Sequence, residues 1–361
     1  MDFHKIFQAM VEQEASDLFL KVGNRPFLRV NGKLIPIGDH EFTRDEIMQF
    51  AAELMGSERR QIFYAERELN FGFEREGIGR FRANVLWQRG TMALVIRRIQ
   101  RSIPSFEELN LPREVLGRLM REQYGLILLT GSTGSGKSTT AAAMLDFINQ
   151  TMPKHIVTLE DPIEFQFEED QSIINQREIG VDTRSFSEGL KNLLRQSPDV
   201  LFLSDIRERE TMESGLLAAE AGQLVLSCLH TTTIVTTIEH IIGFFPPHQH
   251  MLVRFRLSLV LRGIISLRLL LRRDGTGRIP ACEILVVTPT ARELLREGRT
   301  EQLPALLQDG SLYGMQTFTQ ALYQRYRQGE VELEEALRYA DSPEELQLAI
   351  REIRSTRDVE R

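Results

Sequence analysis

The chain is poor in cysteine, with only Cys228 and Cys282 among its 361 residues. Two cysteines are too few for a disulfide framework or for a four-cysteine zinc site, so we expect a reducing compartment. No run of about 18 uncharged apolar residues occurs, and such a run is needed to span a bilayer. The first residues, MDFHKIFQAMVEQEASD, are interrupted by charges and are not expected to act as a secretory signal. Direct membrane insertion is therefore not expected.

An excess of positive charge is also lacking. The chain has 44 Lys and Arg residues against 51 Asp and Glu residues, which gives a formal net charge of −7. A surface that binds nucleic acid needs clustered basic residues, so nucleic acid is not an expected partner. The hydrophobic content of 42% and charged content of 26% are typical of a globular protein, and the length allows two or more domains.

Residues 1–100 predict a small α+β domain. Apolar residues recur at helical spacing between Phe3 and Val11, which indicates an amphipathic helix. The stretch SDLFLKVGNRPFLRVNGKLIPI predicts two strands with turns at residues 23–26 and at Asn31–Gly32, the second being a strong hairpin signal. The alternating stretch RFRANVLWQRGTMALVIRRI predicts further sheet.

Residues 101–112 contain two prolines and little periodicity, and we interpret them as a linker. The remainder, residues 113–361, predicts an α/β domain with a mostly parallel sheet, because short apolar runs alternate there with helix-length segments. These runs are YGLILLTG, HIVTLED, DVLFLSD and QLVLSCLH. The region from about 310 to 361 predicts helices, one of them beginning at Pro343 after Ser342 as N-cap.

The strongest motif is GSTGSGKST, which satisfies the P-loop pattern G-x-x-x-x-G-K-[ST] between an apolar strand and a helix. Its glycines allow backbone N–H groups to surround phosphates, Lys137 supplies a positive charge, and Ser138 offers a hydroxyl to Mg²⁺. ATP and Mg²⁺ are thus the expected ligands. The predicted nucleotide-binding residues are Gly131, Ser132, Thr133, Gly134, Ser135, Gly136, Lys137, Ser138 and Thr139.

Acidic residues follow two of the predicted strands. The box EDPIE contains Glu160, Asp161 and Glu164, and Asp205 follows VLFL. Because the carboxyl ends of parallel strands meet at one edge of a sheet, these acids are candidates for positioning the metal and the attacking water. Mg²⁺ on Ser138 would then be held through water by Asp205 or Glu160. The alternative is that they are solvated turn residues.

Together, GSTGSGKST, EDPIE, RQSPDVLFLSDIRERET and AGQLVLSCLHTTT make the chain resemble the type IV pilus retraction ATPases of the PilT and PilU group within the secretion ATPases. The resemblance covers nearly the whole chain, and stretches such as RERETM lean toward PilU. It implies a PAS-like N-terminal domain followed by a RecA-like ATPase domain. It also implies a homohexamer at the cytoplasmic face of the inner membrane, a pilus platform protein as partner, and a second retraction ATPase as a further candidate partner.

The resemblance also implies roles for basic residues. Arg80, Arg82 and Arg97 match arginines of the N-terminal domain that reach toward phosphate, where they would stabilise developing charge. The alternative for these three is an ordinary surface or strand-edge charge. His230 matches a histidine that senses phosphate or couples subunits. The alternative for His230 is a structural residue at a strand end.

Two positions depart from the family pattern. Asp205 stands where relatives have Glu, and Gln223 stands where they have His. Asp is shorter by one methylene, and a displacement of about 1 Å can cost on the order of a hundredfold in rate. Gln cannot take up a proton. Our hypothesis is therefore a retraction motor with weak intrinsic hydrolysis that acts as an accessory to a stronger one.

Three other functions are alternatives to a retraction motor. A non-catalytic ATP-binding scaffold or modulator of the motor would also explain the departures at Asp205 and Gln223. A pilus assembly or type II secretion ATPase usually carries a tetracysteine zinc insertion, which two cysteines cannot form. A RecA-like nucleic-acid motor would need a basic channel with interleaved aromatic residues, and the ATPase half has no such run.

Overall fold

The computed structural model of the chain describes residues 3–30, 33–99, 102–193 and 195–359. Its contacts divide the chain into two compact units. The first comprises Met1–Ser102 with the short segments Pro162–Gln166 and Gly180–Asp182, and the second comprises Ile103–Asp161, Phe167–Ile179 and Thr183–Arg361. None of the helices in the described ranges has the length and apolar character needed to cross a membrane.

The first unit is a six-stranded antiparallel sheet with two helices among its described residues. Its strand order is β3-β2-β1-β6-β5-β4. The predicted Asn31–Gly32 turn lies outside the described residues, and strands β2 and β3 on either side of it pair antiparallel. The elements are α1 (Phe3–Glu12), β1 (Asp17–Lys21), β2 (Phe27–Val30), β3 (Lys33–Pro36), α2 (Arg44–Glu66), β4 (Glu68–Arg75), β5 (Gly79–Gln88) and β6 (Thr91–Arg98).

The core of the first unit lies between the two helices and one face of this sheet. The predicted amphipathic helix is confirmed as α1, which buries Ile6, Phe7 and Met10. Successive strand residues point to opposite faces, so Phe81 and Ala83 of β5 enter the same core. The segment predicted as two strands forms three, β1 to β3. The edge strand β3 was not predicted because all of its residues are exposed and its apolar pattern is weak.

The second unit is a seven-stranded sheet with helices on both faces. Its elements in chain order are α3 (Arg113–Met120), β7 (Gly125–Thr130), α4 (Lys137–Thr151), β8 (His155–Glu160), β9 (Ile173–Glu178), α5 (Phe186–Leu193), β10 (Val200–Leu203), α6 (Arg209–Glu220), β11 (Leu224–Leu229), α7 (Ile234–Gly243), α8 (His250–Val260), β12 (Leu261–Leu271), β13 (Arg278–Val286), α9 (Pro289–Glu297), α10 (Leu303–Asp309), α11 (Phe318–Arg327), α12 (Leu333–Arg338) and α13 (Pro343–Val359).

The order of this sheet is β13-β12-β7-β11-β10-β8-β9, in which β13 alone is antiparallel to its neighbour. The four apolar runs predicted as parallel strands are confirmed as β7, β8, β10 and β11. Their residues are almost all buried, as expected for strands covered by helices on both faces. The strands β9, β12 and β13 were not predicted. The carboxyl ends of the four predicted strands share one edge.

Two further segments complete the second unit. Of the stretch predicted as a linker, residues 103–112 are grouped with this unit, and Phe106 and Leu111 are buried in its core against α3 and α4. The C-terminal helices α11 to α13 pack on the far end of β12 and β13. The backbone N–H of Glu345 donates to Ser342 Oγ at 3.2 Å, as the predicted N-cap requires.

Candidate nucleotide-hydrolysis site

The P-loop lies between β7 and α4 and needs glycine for its shape. Gly131 has a φ of +146°, and a Cβ placed there would lie 2.4 Å from Ser135 Oγ and 2.6 Å from the carbonyl oxygen of Leu267. Gly136 has a φ of +96° and precedes the first residue of α4 without a side-chain cap. The N–H groups of the first turn of α4 are therefore available to an anion, as in phosphate sites at helix N-termini.

Two polar side chains line this loop. Lys137 is buried, and its Nζ donates to the carbonyl oxygens of Gly131 at 2.7 Å and Ser132 at 2.9 Å. Ser135 is also buried, and its Oγ has no hydrogen-bond partner in the described part of the chain. A buried hydroxyl without a partner costs free energy, so the loop is suited to an added acceptor such as a phosphate oxygen. The donors present fit a nucleotide phosphate chain.

Asp205 follows the carboxyl end of β10 and is 6% exposed. Its Oδ2 accepts a hydrogen bond from Arg207 Nε at 2.6 Å and lies 3.2 Å from His230 Nε2. Its Oδ1 is buried and has no hydrogen-bond partner among the described residues. In the strand order β7-β11-β10, strand β11, which His230 follows, lies between the P-loop strand and the strand that precedes Asp205.

The oxygen atoms at this edge suit Mg²⁺ that is shared with a nucleotide and water, and suit less well a metal ion held by protein side chains alone. The described residues contain no group of three His, Cys, Asp or Glu side chains that could hold a metal ion. Mg²⁺ is usually bound through one or two carboxylates together with substrate phosphates and water. The unpartnered Asp205 Oδ1 and the hydroxyl of Ser138 in the first turn of α4 are ligands of that kind.

The acids of the EDPIE box differ in burial and in hydrogen-bond partners. Glu160 is buried at the end of β8, and its Oε1 accepts from Thr158 Oγ1 at 2.6 Å and from Gln176 Nε2 at 3.0 Å. Asp161 is exposed, its N–H donates to Ser204 Oγ at 3.0 Å, and its Oδ2 lies 3.9 Å from Arg207 Nη1. Arg207 therefore bonds Asp205 and lies within ion-pair distance of Asp161.

Comparisons with known proteins assign the chain to a family. Residues 1–274 match the family described as Type II/IV secretion system protein. The type IV pilus ATPase PilU of Pseudomonas aeruginosa is 41% identical over 351 residues, which cover 97% of this chain and 92% of that protein. The retraction ATPase PilT of the same organism is 38% identical over 344 residues, covering 95% of this chain and 99% of that protein.

A crystal structure of the pilus retraction motor PilT with bound ADP has 43% sequence identity and a TM-score of 0.89, and covers 96% of this chain and 99% of that one. The chain belongs to the secretion ATPase family, in the PilT and PilU group. The predicted fold class, a small sheet domain followed by a RecA-like ATPase domain with C-terminal helices, is confirmed. The protein is thus a nucleotide-binding ATPase.

In this PilT/PilU-group ATPase the three predicted arginines share one face of the first unit's sheet. Arg82 on β5 lies directly opposite Arg97 on β6, and Arg80 is two residues from Arg82 on the same face. Arg97 Nε donates to the buried Asp17 carboxylate at 2.9 Å. The arginine face, defined by Arg80, Arg82 and Arg97, is thus opposite to the face that packs on α1 and α2.

The structure groups Glu164 with the first unit and places Gln223 away from the Asp205 edge of the second unit. Glu164 is exposed in the loop after β8, within the short segment grouped with the first unit, and its catalytic role stays a prediction. Gln223 precedes β11, whereas His230 follows that strand. Seven extended residues span about 20 Å, so within one subunit Gln223 is at the opposite edge of the sheet. Gln223 is therefore not placed to act on Asp205 of the same subunit, and its contribution to weak hydrolysis stays a prediction.

Sequence reasoning missed two groups at this edge of the PilT/PilU-group ATPase. Arg207 stands two residues after Asp205 in SDIRERET, and this spacing from an acid is the available signal. Ser266 on β12 was not singled out, and its Oγ lies 2.7 Å from Thr130 Oγ1 directly before the P-loop. No pattern in the sequence could have found that pair, because the two residues are 136 positions apart.

Proposed function

We propose that this protein hydrolyses ATP to drive retraction of a type IV pilus, and so supports twitching motility. The observation that carries the proposal is the buried carboxylate of Asp205, which has one oxygen without a partner and lies at the same sheet edge as the P-loop. Membership of the PilT and PilU group supports the biological role.

The proposed roles divide between binding and positioning. The backbone of residues 131–139, with Lys137 and Ser138, would hold the phosphates and Mg²⁺. When bound, Mg²⁺ supplies positive charge that neutralises phosphate oxygens. Asp205 would bind Mg²⁺, and Glu160 would contact the ion through water. Asp161, directly after β8, and Glu164, three residues later, are proposed to orient the attacking water, because phosphoryl transfer to water needs a residue that positions the nucleophile.

The proposed assembly is a homohexamer at the cytoplasmic face of the inner membrane that acts on the pilus platform protein. A second retraction ATPase is a further proposed partner. The arginine face supports this proposal, since Arg80 and Arg82 form a basic surface that a neighbouring subunit's nucleotide could use. His230 would couple that nucleotide state to Asp205, whose carboxylate it contacts.

We further propose that intrinsic hydrolysis is weak because Asp205 is shorter than Glu. The test is steady-state phosphate release by the purified full chain and by Asp205→Glu. We expect the variant to be faster, by up to about a hundredfold if the carboxylate is misplaced by about 1 Å. Asp199→Glu is the matched control, since Asp199 precedes the same strand at the opposite edge. An unchanged, fast rate in the parent protein would exclude the idea.

A non-catalytic ATP-binding subunit is the second candidate. It is favoured by the 2.6 Å ion pair between Arg207 and Asp205 Oδ2, which neutralises the acid that hydrolysis needs. Lys137→Ala distinguishes the two. A motor should lose phosphate release and pilus retraction together, whereas a scaffold subunit should have little phosphate release to lose and should show altered ring assembly in a particle count.

A further inference from the structure

Glu283 on β13 is a buried carboxylate that none of the proposed catalytic roles uses. It is 9% exposed, and its Oε2 accepts a hydrogen bond at 2.8 Å from the backbone N–H of Ile234. Ile234 is the first residue of α7. N–H groups in the first turn have no partner within the helix, and this helix end favours negative charge. Glu283 therefore anchors the start of α7.

The anchored turn is joined to the hydrolysis site by a short, bonded segment. Three residues separate His230 from Ile234, and hydroxyl groups hold them: Thr237 Oγ1 donates to the Thr233 carbonyl at 2.6 Å and lies 2.7 Å from Thr231 Oγ1. At the other end His230 Nε2 lies 3.2 Å from Asp205 Oδ2. A movement of the first turn of α7 would therefore move His230 relative to Asp205.

Glu283 is also influenced by an ion pair that joins β12 to the C-terminal region. Glu283 is opposite Ser266 on β12, and Arg268 follows two residues later on the same face. Arg268 Nη2 bonds Asp341 Oδ1 at 2.6 Å, directly before α13. Arg268 and Asp341 act on the Glu283 pKa in opposite directions, since the cation lowers it and the anion raises it.

Burial is the largest influence on this carboxyl and raises the pKa of Glu283 to about 7. Its charge thus changes near neutral pH. Hydrogen bonds to a carboxylate are roughly twice as strong as those between neutral groups. The anchor on Ile234 should therefore be firm above pH 7 and looser below it.

We propose that Glu283 is a positioning residue for hydrolysis, which holds His230 against Asp205 through the first turn of α7 and receives the position of the C-terminal helices through Arg268 and Asp341. The inference rests on the proposed role of His230 at the hydrolysis site. Glu283 itself contacts neither the P-loop nor the acids in the described geometry, so it acts through the His230 segment, residues 230–234.

The test compares the full chain with Glu283→Gln, which keeps shape and an acceptor oxygen but cannot ionise. Glu239→Gln is the matched control, because Glu239 is also on α7 and accepts a hydrogen bond from Thr300 Oγ1. Two experiments are carried out between pH 6 and 8: the first gives kcat and KM for ATP, and the second gives amide hydrogen exchange of the segment 230–237. The second does not depend on turnover.

With a pKa of about 7, the ionised fraction of Glu283 rises about tenfold between pH 6 and 8. In the parent protein we expect kcat to rise by up to about tenfold over this range, and in Glu283→Gln we expect this rise to be absent with KM unchanged. The Ile234 amide of Glu283→Gln should exchange severalfold faster at pH 8. The proposal would be overturned if Glu283→Gln kept the kcat profile and the amide exchange of the parent protein. It would also be overturned if Glu239→Gln showed the same changes as Glu283→Gln.

Asp341→Asn tests the link to the C-terminal helices without altering the buried strand. Removing its charge should lower the Glu283 pKa and shift the midpoint of the kcat profile to lower pH, and an unshifted midpoint would overturn this link. His230→Ala separates the inference from its premise. If that variant hydrolyses ATP normally, the proposed role of His230 fails and the inference with it; if it is slow while Glu283→Gln is normal, the inference alone fails.

Discussion

Replacing Glu283 by Gln should stabilise the second unit against global unfolding, and more at pH 8 than at pH 5, because burial opposes the ionised carboxylate more than the hydrogen bond from Ile234 favours it. Burial raises the pKa of this carboxyl from 4.5 to about 7. A group with a raised folded-state pKa contributes its stability fully at low pH, and that contribution is lost as the pH rises through the folded value. Each pH unit between the two pKa values corresponds to about 1.4 kcal/mol. The raised pKa of Glu283 therefore costs the folded state about 3 kcal/mol at pH 8 and about 1 kcal/mol at pH 5.

The assay is urea unfolding of the full chain and of Glu283→Gln at pH 5 and pH 8. Trp87 is the only tryptophan and lies in the first unit, so far-UV circular dichroism should be used to follow the second. The expected gain in the free energy of unfolding is about 2 kcal/mol larger at pH 8 than at pH 5. A gain that is equal at both pH values, or a loss at pH 8, would refute the reasoning. Glu239 is exposed, so the effect of Glu239→Gln on the free energy of unfolding should be the same at pH 5 and pH 8.

Three further changes test the site and the first unit. Lys137→Ala should weaken ATP binding at least tenfold in a calorimetric titration, because the buried ammonium beside the P-loop is lost; unchanged affinity would contradict this. Gly131→Ala should cost at least about 1–3 kcal/mol in thermal unfolding and reduce ATP binding, since its φ of +146° is unsuited to a side chain, and a stable variant would contradict that. Asp17→Asn should destabilise the first unit by about 1–3 kcal/mol by Trp87 fluorescence, because Arg97 loses its buried partner, and an unchanged midpoint would argue against that pair.

Patterns that are local in the chain were predictable from the sequence. The P-loop and the strands β7, β8, β10 and β11 follow from short apolar runs and fixed spacings. The meeting of Asp205 and His230 at one edge followed from the parallel arrangement, since both residues directly follow strands. Their proximity is thus a consequence of topology that the sequence does express.

Pairings between distant segments were not predictable. Arginines interrupt the apolar run of β12, and no strand was predicted there although the strand lies beside β7 in the middle of the core. The hydrogen bond from Ile234 to Glu283 joins residues 49 positions apart, and a single acid inside an apolar strand carries no signal of its partner. Gln223 can be recognised from the sequence as a departure from the family pattern, but the edge of the sheet on which it lies cannot.

Alternate residues of strand β5 serve two different faces of the sheet. Arg80 and Arg82 belong to the arginine face, while Phe81, Ala83 and Val85 are fully buried on the other. Evolution can change the basic residues one at a time without disturbing the core. A one-residue insertion or deletion within the strand cannot be accommodated in this way, because it would exchange the two faces at once. This strand should therefore tolerate substitution on one face but very little change in length.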